Sequence, residues 1–279
     1  MRAEPSEKSE MTSQLLFGEY FSVVEQTEKW LLIRSCIDDY QGWVSSNMVN
    51  ELPDDFPTTD TPHVIRSPYV LCAVAGKRIH LPGGSLFWTM SDYLTSDVGQ
   101  SEIKQSFRLA GEQYSFCGGM TQPESGGIAA FARQYLGAPY LWGGKTIFGI
   151  DCSGLVQVAC RMDGFWLPRD ASQQSSTGCE ITYNIAAAND VAFFCDDNGK
   201  IVHTGILCNA NSIIHASGSV RIDRFDEQGI FCEADNRYTH RLHSIKRMKR
   251  ELPCDSKLTI NNSRFLPHLL QLPPHQKLW

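Results

Sequence analysis

The fold of this chain is decided by the stretch Ile150-Asp151-Cys152-Ser153-Gly154-Leu155-Val156. It has the pattern of a helix start, with Asp151 as the N-cap and the helix beginning at Cys152. A helix N-terminus carries a partial positive charge and free backbone N–H groups. The charge favours a thiolate over a thiol, and the N–H groups are suited to binding an oxyanion. We therefore predict that Cys152 is a nucleophile.

Two histidines further along the chain are candidate bases for this cysteine. His203 and His215 each lie in the middle of an apolar, β-rich run. A separation of 12 residues across a short hairpin places them side by side on one sheet face. A histidine is costly to bury among aliphatic residues unless it has a partner or a task. The residues alone leave two interpretations open: a base with its orienting partner, or two core histidines with satisfied hydrogen bonds.

The segments that carry these residues predict an α+β domain. Residues 125–136 and 152–161 have the apolar spacing of helices. Residues 191–194 and 201–207 are β-rich and are joined by Asp-Asp-Asn-Gly, which indicates a hairpin. A further turn leads into a strand at residues 212–216. Helices followed by an antiparallel meander are typical of the α+β class.

The residues before this domain predict two small β-rich units. Short β-rich runs with turn signals occupy residues 14–50. Proline, aspartate and threonine near residues 53–62 indicate a linker. A second β-rich stretch extends from residue 69 to about residue 117. The end of the chain lacks periodicity, and we expect a loose or peripherally packed tail there.

Composition excludes several classes of function. Lys and Arg number 25 against 31 Asp and Glu, for a net charge of −6, so we expect no nucleic-acid partner. No apolar run approaches the roughly 20 residues that span a bilayer, so we expect no transmembrane segment. The cysteines form no CxxC pair, and we expect neither a metal nor a cofactor. We expect His240 and His243 to be a solvated surface pair. We also expect the protein to be a monomer.

The ten cysteines also bear on the cellular compartment. They are too sparse for a disulfide scaffold, and most lie in apolar runs where a free thiol acts as a small core hydrophobe. Free thiols favour the cytoplasm. The periplasm or cell envelope is the alternative if an N-terminal signal segment precedes this chain.

These motifs resemble the NlpC family of papain-like cysteine peptidases. Residues 151–157, Asp-Cys-Ser-Gly-Leu-Val-Gln, are similar to the nucleophile motif, and residues 139–144, Pro-Tyr-Leu-Trp-Gly-Gly, to the segment before it. Three further segments resemble the family's strands in order and spacing, namely residues 190–194, 203–206 and 213–217. The family usually has Gly-Asp where this chain has Asn189-Asp190. The resemblance spans residues 122–250.

The resemblance implies a papain-like α+β catalytic domain, made of helices and an antiparallel sheet, preceded by two small SH3-like β-barrels. The boundaries it implies are residues 1–52 for the first barrel, 60–118 for the second, 122–252 for the catalytic domain and 253–279 for the tail. The opening residues resemble the interior of an SH3-like repeat. We therefore expect the first barrel to lack its first strand.

The arrangement is similar to a subgroup of the family that cleaves γ-D-glutamyl–diamino acid bonds. Its substrates are peptidoglycan peptides, L-Ala-γ-D-Glu-diamino acid, with a free N-terminal L-Ala. The likeness implies that Cys152 is the nucleophile and His203 the general base. His215 would orient His203, and Tyr140 would lie near the oxyanion.

The same likeness implies a set of substrate-binding side chains, which are Asp151, Ser153, Ser172, Glu19 and Tyr40. Asp151 and Glu19 are expected to bind the L-Ala ammonium by charge-assisted hydrogen bonds. Glu19 and Tyr40 are expected to close the cleft from the first barrel.

Two other functions stay open from the sequence. The SH3-like domains suit a peptidoglycan-binding protein whose catalytic domain is degenerate. The same fold also hosts amidases and acyltransferases. An intact set of Cys152, His203 and His215 favours the peptidase over the first of these.

Overall fold

The first unit of the chain is a five-stranded antiparallel sheet. The computed structural model describes residues 1–51, 62–88, 104–109, 112–117, 127–248 and 264–267. Burial alternates along the strands, so that Leu31 and Ile33 point into a small core while Arg34 is exposed. Phe21 and Val44 complete that core. The strands from the start of the chain are β1 Phe21–Gln26, β2 Trp30–Ser35, β3 Gln41–Ser45 and β4 Val49–Glu51.

The fifth strand of this unit comes from the far end of the chain. Arg264–Pro267 lies between β1 and β4, so the sheet order places it inside the unit rather than at an edge. The prediction of a loose tail over residues 253–279 is therefore wrong for this segment, because its backbone supplies ladder hydrogen bonds that β1 and β4 would otherwise lack. The rest of the tail lies outside the described residues.

The second unit has a four-stranded antiparallel sheet and a two-stranded one. Its core is formed by residues such as Ile65, Cys72, Leu81 and Phe116. Its assignment as a second SH3-like barrel stays a prediction, and the predicted linker lies mostly outside the described residues. The strands are β5 His63–Val64, β6 Tyr69–Val74, β7 Lys77–Pro82, β8 Leu86–Phe87, β9 Lys104–Leu109 and β10 Glu112–Cys117.

The third unit packs helices against a seven-stranded antiparallel sheet, which confirms the predicted α+β class. Its helices are α1 Gly127–Arg133, α2 Cys152–Met162 and α3 Ala171–Gln174. Its first strands are β11 Lys145–Thr146 and β12 Gly149–Ile150, which pair with each other. The sheet strands are β13 Cys179–Ile181, β14 Val191–Cys195, β15 Ile201–Asn209, β16 Ser212–Ser217, β17 Ser219–Asp226, β18 Gly229–Cys232 and β19 Arg237–Arg247; the tail strand Arg264–Pro267 is β20.

This sheet closes on itself, since β19 pairs with both β14 and β18. Two hydrophobic cores result, because side chains alternate between the faces of each strand. Val191 and Phe193 face α1 and α2, whereas Ala192 and Phe194 face the interior of the closed sheet. Within the described ranges, no helix is long and apolar enough to span a membrane.

Buried ion pairs hold the first unit against the third. Glu19 lies 1% exposed between Lys145, at 2.8 Å, and Arg161 of α2. Arg161 also donates to the Gly84 carbonyl of the second unit at 3.1 Å. One side chain of the helix that begins at Cys152 therefore contacts both N-terminal units.

Candidate active site

Cys152 begins α2, as the sequence predicts. Asp151 has an extended backbone conformation and accepts a hydrogen bond from the Gly154 N–H at 2.7 Å, which is the geometry of an N-cap. The whole helix is buried. Gly154 is required here because a Cβ at this position would lie 2.3 Å from the Gly144 carbonyl oxygen. The loop before the nucleophile and the first turn of α2 thus pack backbone against backbone.

The Cys152 sulfur sits in a different electrostatic environment from the one predicted. Its side chain is 7% exposed, and it accepts hydrogen bonds from the backbone N–H groups of Ser153 and Thr204. Burial, followed by the negative charge of Asp151, raises the pKa of Cys152 to about 11, despite those two hydrogen bonds. The expected preference for a thiolate is therefore corrected: in this site the resting form at neutral pH is the thiol.

His203 and His215 lie next to each other, as the hairpin spacing predicts. His203 Nε2 and His215 Nδ1 are 2.8 Å apart, and both rings are buried. Strand β15 also passes Cys152, because the backbone N–H of Thr204, the residue after His203, donates to the Cys152 sulfur. The placement is as predicted, and the catalytic roles of the two residues stay predictions.

Burial keeps His203 uncharged. Desolvation, and then the neighbouring His240, His215 and Arg221, hold the pKa of His203 well below its usual range. An uncharged imidazole has a lone pair with which to accept a proton. Burial thus favours the uncharged forms of both Cys152 and His203.

Two residues beyond His215 were not anticipated from the sequence. Asp223 Oδ2 lies 3.0 Å from His215 Nε2, and Arg221 Nε donates to the same oxygen at 2.9 Å. A signal for them exists in the hairpin register. His215 pairs with Arg221 across β16 and β17, so Arg221 and, two residues on, Asp223 share the sheet face of His215.

His240 is also part of this cluster. It lies on a strand, not a helix, and its ring stacks on His203 with centroids 4.0 Å apart and an angle of 25° between the planes. The reading of His240 as a solvated surface residue is therefore wrong, whereas His243 is exposed as predicted. Residues three apart in a strand point to opposite faces, so His240 and His243 of β19 lie in different surroundings.

The ring nitrogens of His203, His215 and His240 lie within 4.8 Å of one another, which raises the question of whether they could bind a metal ion. A metal ion lies about 2 Å from each ligating nitrogen and in the plane of each ring. The stacked planes of His203 and His240 share no such point. In addition, the facing nitrogens of His203 and His215 are already joined by a hydrogen bond. The arrangement suits proton transfer better than metal binding.

Tyr140 lies beside Cys152. Its backbone forms a bridge with Ile150, two residues before Cys152. Burial, followed by the charge that Cys152 carries at high pH and the charge of Asp151, raises the pKa of Tyr140 to about 12. The phenol therefore stays protonated and can donate a hydrogen bond near the sulfur.

The side chains of Asp151 and Ser153 both bind Arg169, a residue to which the sequence assigned no role. Arg169 forms a two-pronged ion pair with Asp151, at 2.6 and 3.1 Å, and donates to the Ser153 hydroxyl at 2.8 Å. The Gly143 N–H also donates to Asp151, at 2.8 Å. With the N-cap bond to Gly154, both carboxylate oxygens are satisfied. The structure thus gives Asp151 an architectural role beside Cys152.

Glu19 needs a correction as an expected ligand of the substrate ammonium. Its carboxylate is sealed between Lys145 and Arg161, so a substrate does not reach it in this arrangement. Burial opposes its charge, but these two cations outweigh burial and lower the pKa of Glu19 to about 2. The acid is a permanent counter-ion at the boundary between the first and third units.

Tyr40 and Ser172 lie at the rim of the site. Tyr40 is half-buried and faces Asp170, whose negative charge, after burial, raises the pKa of the phenol. Ser172 is exposed in α3. Tyr40 therefore contacts the third unit from the first, and its role in closing a substrate cleft stays a prediction.

The departure from the family pattern at Asn189 is explained by backbone conformation. Asn189 has φ of +76°, a region that glycine enters freely and asparagine tolerates better than most residues. Its side-chain oxygen accepts a hydrogen bond from the Ala129 N–H at 2.8 Å. Asparagine thus preserves the turn and ties it to α1.

Comparison with known proteins agrees with this fold. Residues 137–235 match the NlpC/P60 family, and residues 1–48 match the bacterial dipeptidyl-peptidase SH3 domain. Residues 137–235 are therefore similar to the NlpC/P60 family, and they follow a segment similar to the bacterial dipeptidyl-peptidase SH3 domain. The predicted resemblance is confirmed.

Two relatives and one crystal structure illustrate the likeness. The chain is 24% identical over 215 residues to gamma-D-glutamyl-L-lysine dipeptidyl-peptidase of Bacillus subtilis (strain 168), which covers 73% of this chain and 71% of that protein. It is 26% identical over 256 residues to dipeptidyl-peptidase 6 of Lysinibacillus sphaericus, over 81% and 88% of the two chains. The crystal structure of an NlpC/P60 family protein from Bacillus cereus ATCC 10987 has the same fold, with a TM-score of 0.68 at 20% identity over 85% of this chain and 81% of that one.

Proposed function

We propose that this protein hydrolyses the γ-D-glutamyl–diamino acid bond of peptidoglycan-derived peptides that have a free N-terminal L-Ala, with Cys152 as the nucleophile. The observation that carries the proposal is the buried His203–His215 pair, in which His203 lies next to Thr204, whose backbone N–H donates to the Cys152 sulfur. The names of the relatives, which are similar along most of this chain, support the choice of bond.

The proposed chemistry is acyl transfer through a thioester. His203 accepts the thiol proton as the Cys152 sulfur attacks the γ-carbonyl carbon of D-Glu. N–H groups at the start of α2 and the Tyr140 hydroxyl stabilise the oxyanion. The C–N bond then breaks, and His203 returns the proton to the departing amine of the diamino acid. Water, deprotonated by His203, hydrolyses the thioester and releases L-Ala-D-Glu.

The proposal has to account for the substrate ammonium without Glu19 and Asp151. Asp170 is half-buried beside Tyr40, and burial raises its pKa although Arg169 opposes the shift. A bound ammonium would relieve the cost of that buried carboxylate. We therefore assign recognition of the L-Ala amine to Asp170, with Tyr40 as the wall of the cleft.

The first barrel supports a preference for small peptides over intact wall. Ser13 of that unit is buried against Arg169, with Oγ and Nε 3.1 Å apart, and Trp142 donates to Glu10 at 2.5 Å. A Cβ at Gly143 would lie 2.5 Å from the Met11 carbonyl oxygen. The N-terminal segment thus lies directly on the loop before the nucleophile, where a longer substrate would have to pass.

The test is a digest of defined peptides read by mass spectrometry. L-Ala-γ-D-Glu-diaminopimelate and its L-Lys counterpart should release L-Ala-D-Glu. Peptides that lack L-Ala or carry an acetylated N-terminus, and intact sacculi, should react poorly. Cys152→Ala should be inactive with an unchanged thermal midpoint, since alanine is tolerated at a helix start.

Three outcomes would overturn the proposal. Turnover by Cys152→Ala would remove the nucleophile. Binding of the wild type to sacculi with no release from any peptide would favour a wall-binding protein. Cleavage of a different amide, or acyl transfer to an acceptor other than water, would favour an amidase or acyltransferase on this fold.

A further inference from the structure

The side chains behind His203 form a single row of hydrogen bonds that ends at the surface. His203 Nε2 contacts His215 Nδ1 at 2.8 Å, and His215 Nε2 contacts Asp223 Oδ2 at 3.0 Å. His215 is fully buried, whereas the Asp223 side chain is 13% exposed. Arg221 donates to Asp223 at 2.9 Å and closes the row.

The order of donors and acceptors along this row follows from its last member. Burial acts to raise the pKa of Asp223, but the hydrogen bond and charge of His215 and the charge of Arg221 outweigh it and hold that pKa below its usual value. An ionised carboxylate only accepts hydrogen bonds, so His215 Nε2 must carry a hydrogen. In the neutral form of His215, Nδ1 then carries no hydrogen and accepts from His203 Nε2–H. A neutral His203 in that tautomer keeps its lone pair on Nδ1.

We propose that Asp223 is a positioning residue for catalysis, which acts through His215 to hold His203 in the tautomer whose Nδ1 accepts the nucleophile's proton. The proposal deepens the proposed function and rests on it for any readout that uses turnover. Without Asp223, both neutral tautomers of His215 become accessible. If His215 carried its hydrogen on Nδ1, that N–H would face the N–H of His203 Nε2 and no hydrogen bond could form. This would disfavour the His203 tautomer whose Nδ1 is free to accept a proton.

The surroundings of His215 make this effect specific to Asp223. The titratable and charged groups around its ring are His203 on β15, His240 on β19, and Asp223 and Arg221 on β17. Within the described residues, Asp223 is the carboxylate that pairs with the His215 ring. The two neighbouring histidine rings are neutral at pH 7, since burial lowers the pKa of both.

The test compares Asp223→Asn with Asp226→Asn, a carboxylate three residues further along the same strand that accepts from the Tyr238 hydroxyl at 2.6 Å. Asp223→Asn should lower kcat at least about tenfold with little change in KM, and it should alter the pH dependence of kcat, because the base would no longer be held in one tautomer. Asp226→Asn should match the wild type. Alkylation of Cys152 by iodoacetamide, followed by peptide mass spectrometry, gives a second readout that needs no substrate, and it should slow in Asp223→Asn alone.

A double-mutant cycle separates positioning from a structural role. If Asp223 acts through His215, adding Asp223→Asn to His215→Ala should cause no further loss. Arg221→Gln changes a partly exposed side chain and should lower kcat by a smaller factor than Asp223→Asn. It is the substitute variant if Asp223→Asn does not fold.

Several results would overturn the inference. One is that Asp223→Asn keeps the kcat and the alkylation rate of the wild type. If Asp223→Asn does not fold, the same result in Arg221→Gln would overturn the inference. Another is an equal further loss when Asp223→Asn is added to His215→Ala. If the wild type cleaves none of the peptides, the proposed function fails, while the alkylation rates still decide the role of Asp223.

Discussion

Glu19 of the first barrel and Lys145 of the catalytic domain form an ion pair of 2.8 Å in which neither side chain is more than 2% exposed. Arg161 shares the same carboxylate. Two cations therefore depend on one buried anion, and all three belong to the contact between the first and third units. Charges buried in this way are stable only when paired, so the contact is intolerant of losing any member.

We expect Glu19→Gln to destabilise the protein by about 3–5 kcal/mol, because Lys145 and Arg161 would be left buried without a counter-ion. Denaturant unfolding measures the change. Glu25→Gln, at an exposed position of the same unit, is the control and should have little effect. An unchanged stability with a raised KM would instead restore Glu19 as a substrate ligand.

Acid should destabilise the folded protein through its buried histidines. Burial, followed by the charges of His215 and Arg221, lowers the pKa of His240 to about 4 from its usual 6.5, and the pKa of His203 is also lowered. Between the usual histidine pKa and the lowered pKa of His240, the unfolded chain binds more protons than the folded one. The free energy of unfolding therefore falls as the pH drops from about 6.5 towards 4.

His240→Gln should flatten this pH dependence, whereas His243→Gln, at an exposed position of the same strand, should leave it unchanged. Thermal midpoints measured from pH 7 to pH 4 provide the check. Equal slopes in the wild type and His240→Gln would contradict the assignment.

Tyr140→Phe should lower kcat on the order of 10²-fold if the hydroxyl stabilises the oxyanion, with little change in KM. Tyr135→Phe is a matched control, since the buried Tyr135 hydroxyl has no hydrogen-bond partner among the described residues. Steady-state kinetics on the L-Ala-γ-D-Glu peptide distinguish the two. Similar kcat values in Tyr140→Phe and the wild type would exclude this role for Tyr140.

Asp170→Asn should raise KM for a peptide with a free N-terminus by about tenfold, because one charge-assisted hydrogen bond to the ammonium is lost. For the N-acetylated peptide the same substitution should change little. Asp197→Asn, in the exposed turn between β14 and β15, is the control. An identical effect on both peptides would assign Asp170 to the structure of α3, whose N-terminus it caps.

A chain that ends at Ser263 should be less stable than one that ends at His268, because only the longer chain keeps strand β20 between β1 and β4. The expected loss is about 1–3 kcal/mol, confined to unfolding of the first unit. Hydrogen exchange of β1 and β4 amides measures it. Equal protection in the two chains would contradict the pairing.

Local sequence determined the elements that carry the candidate chemistry. Asp151 and the apolar spacing after it define a capped helix with Cys152 at its start, and the Asp-Asp-Asn-Gly turn defines the hairpin that carries His203. These are short-range patterns, since a cap and a hairpin depend on residues that are near in sequence. They were sufficient to indicate the family and the α+β class.

Only the tertiary structure decided the charges and partners of those residues. The thiol form of Cys152 follows from its burial and from Asp151, and the sealed state of Glu19 from cations 126 and 142 residues away. Likewise, β20 joins the first sheet from the opposite end of the chain, and His240 reaches His203 because β19 closes the barrel against β14. Desolvation and long-range pairing arise from packing, so a residue's own neighbours in sequence do not reveal them.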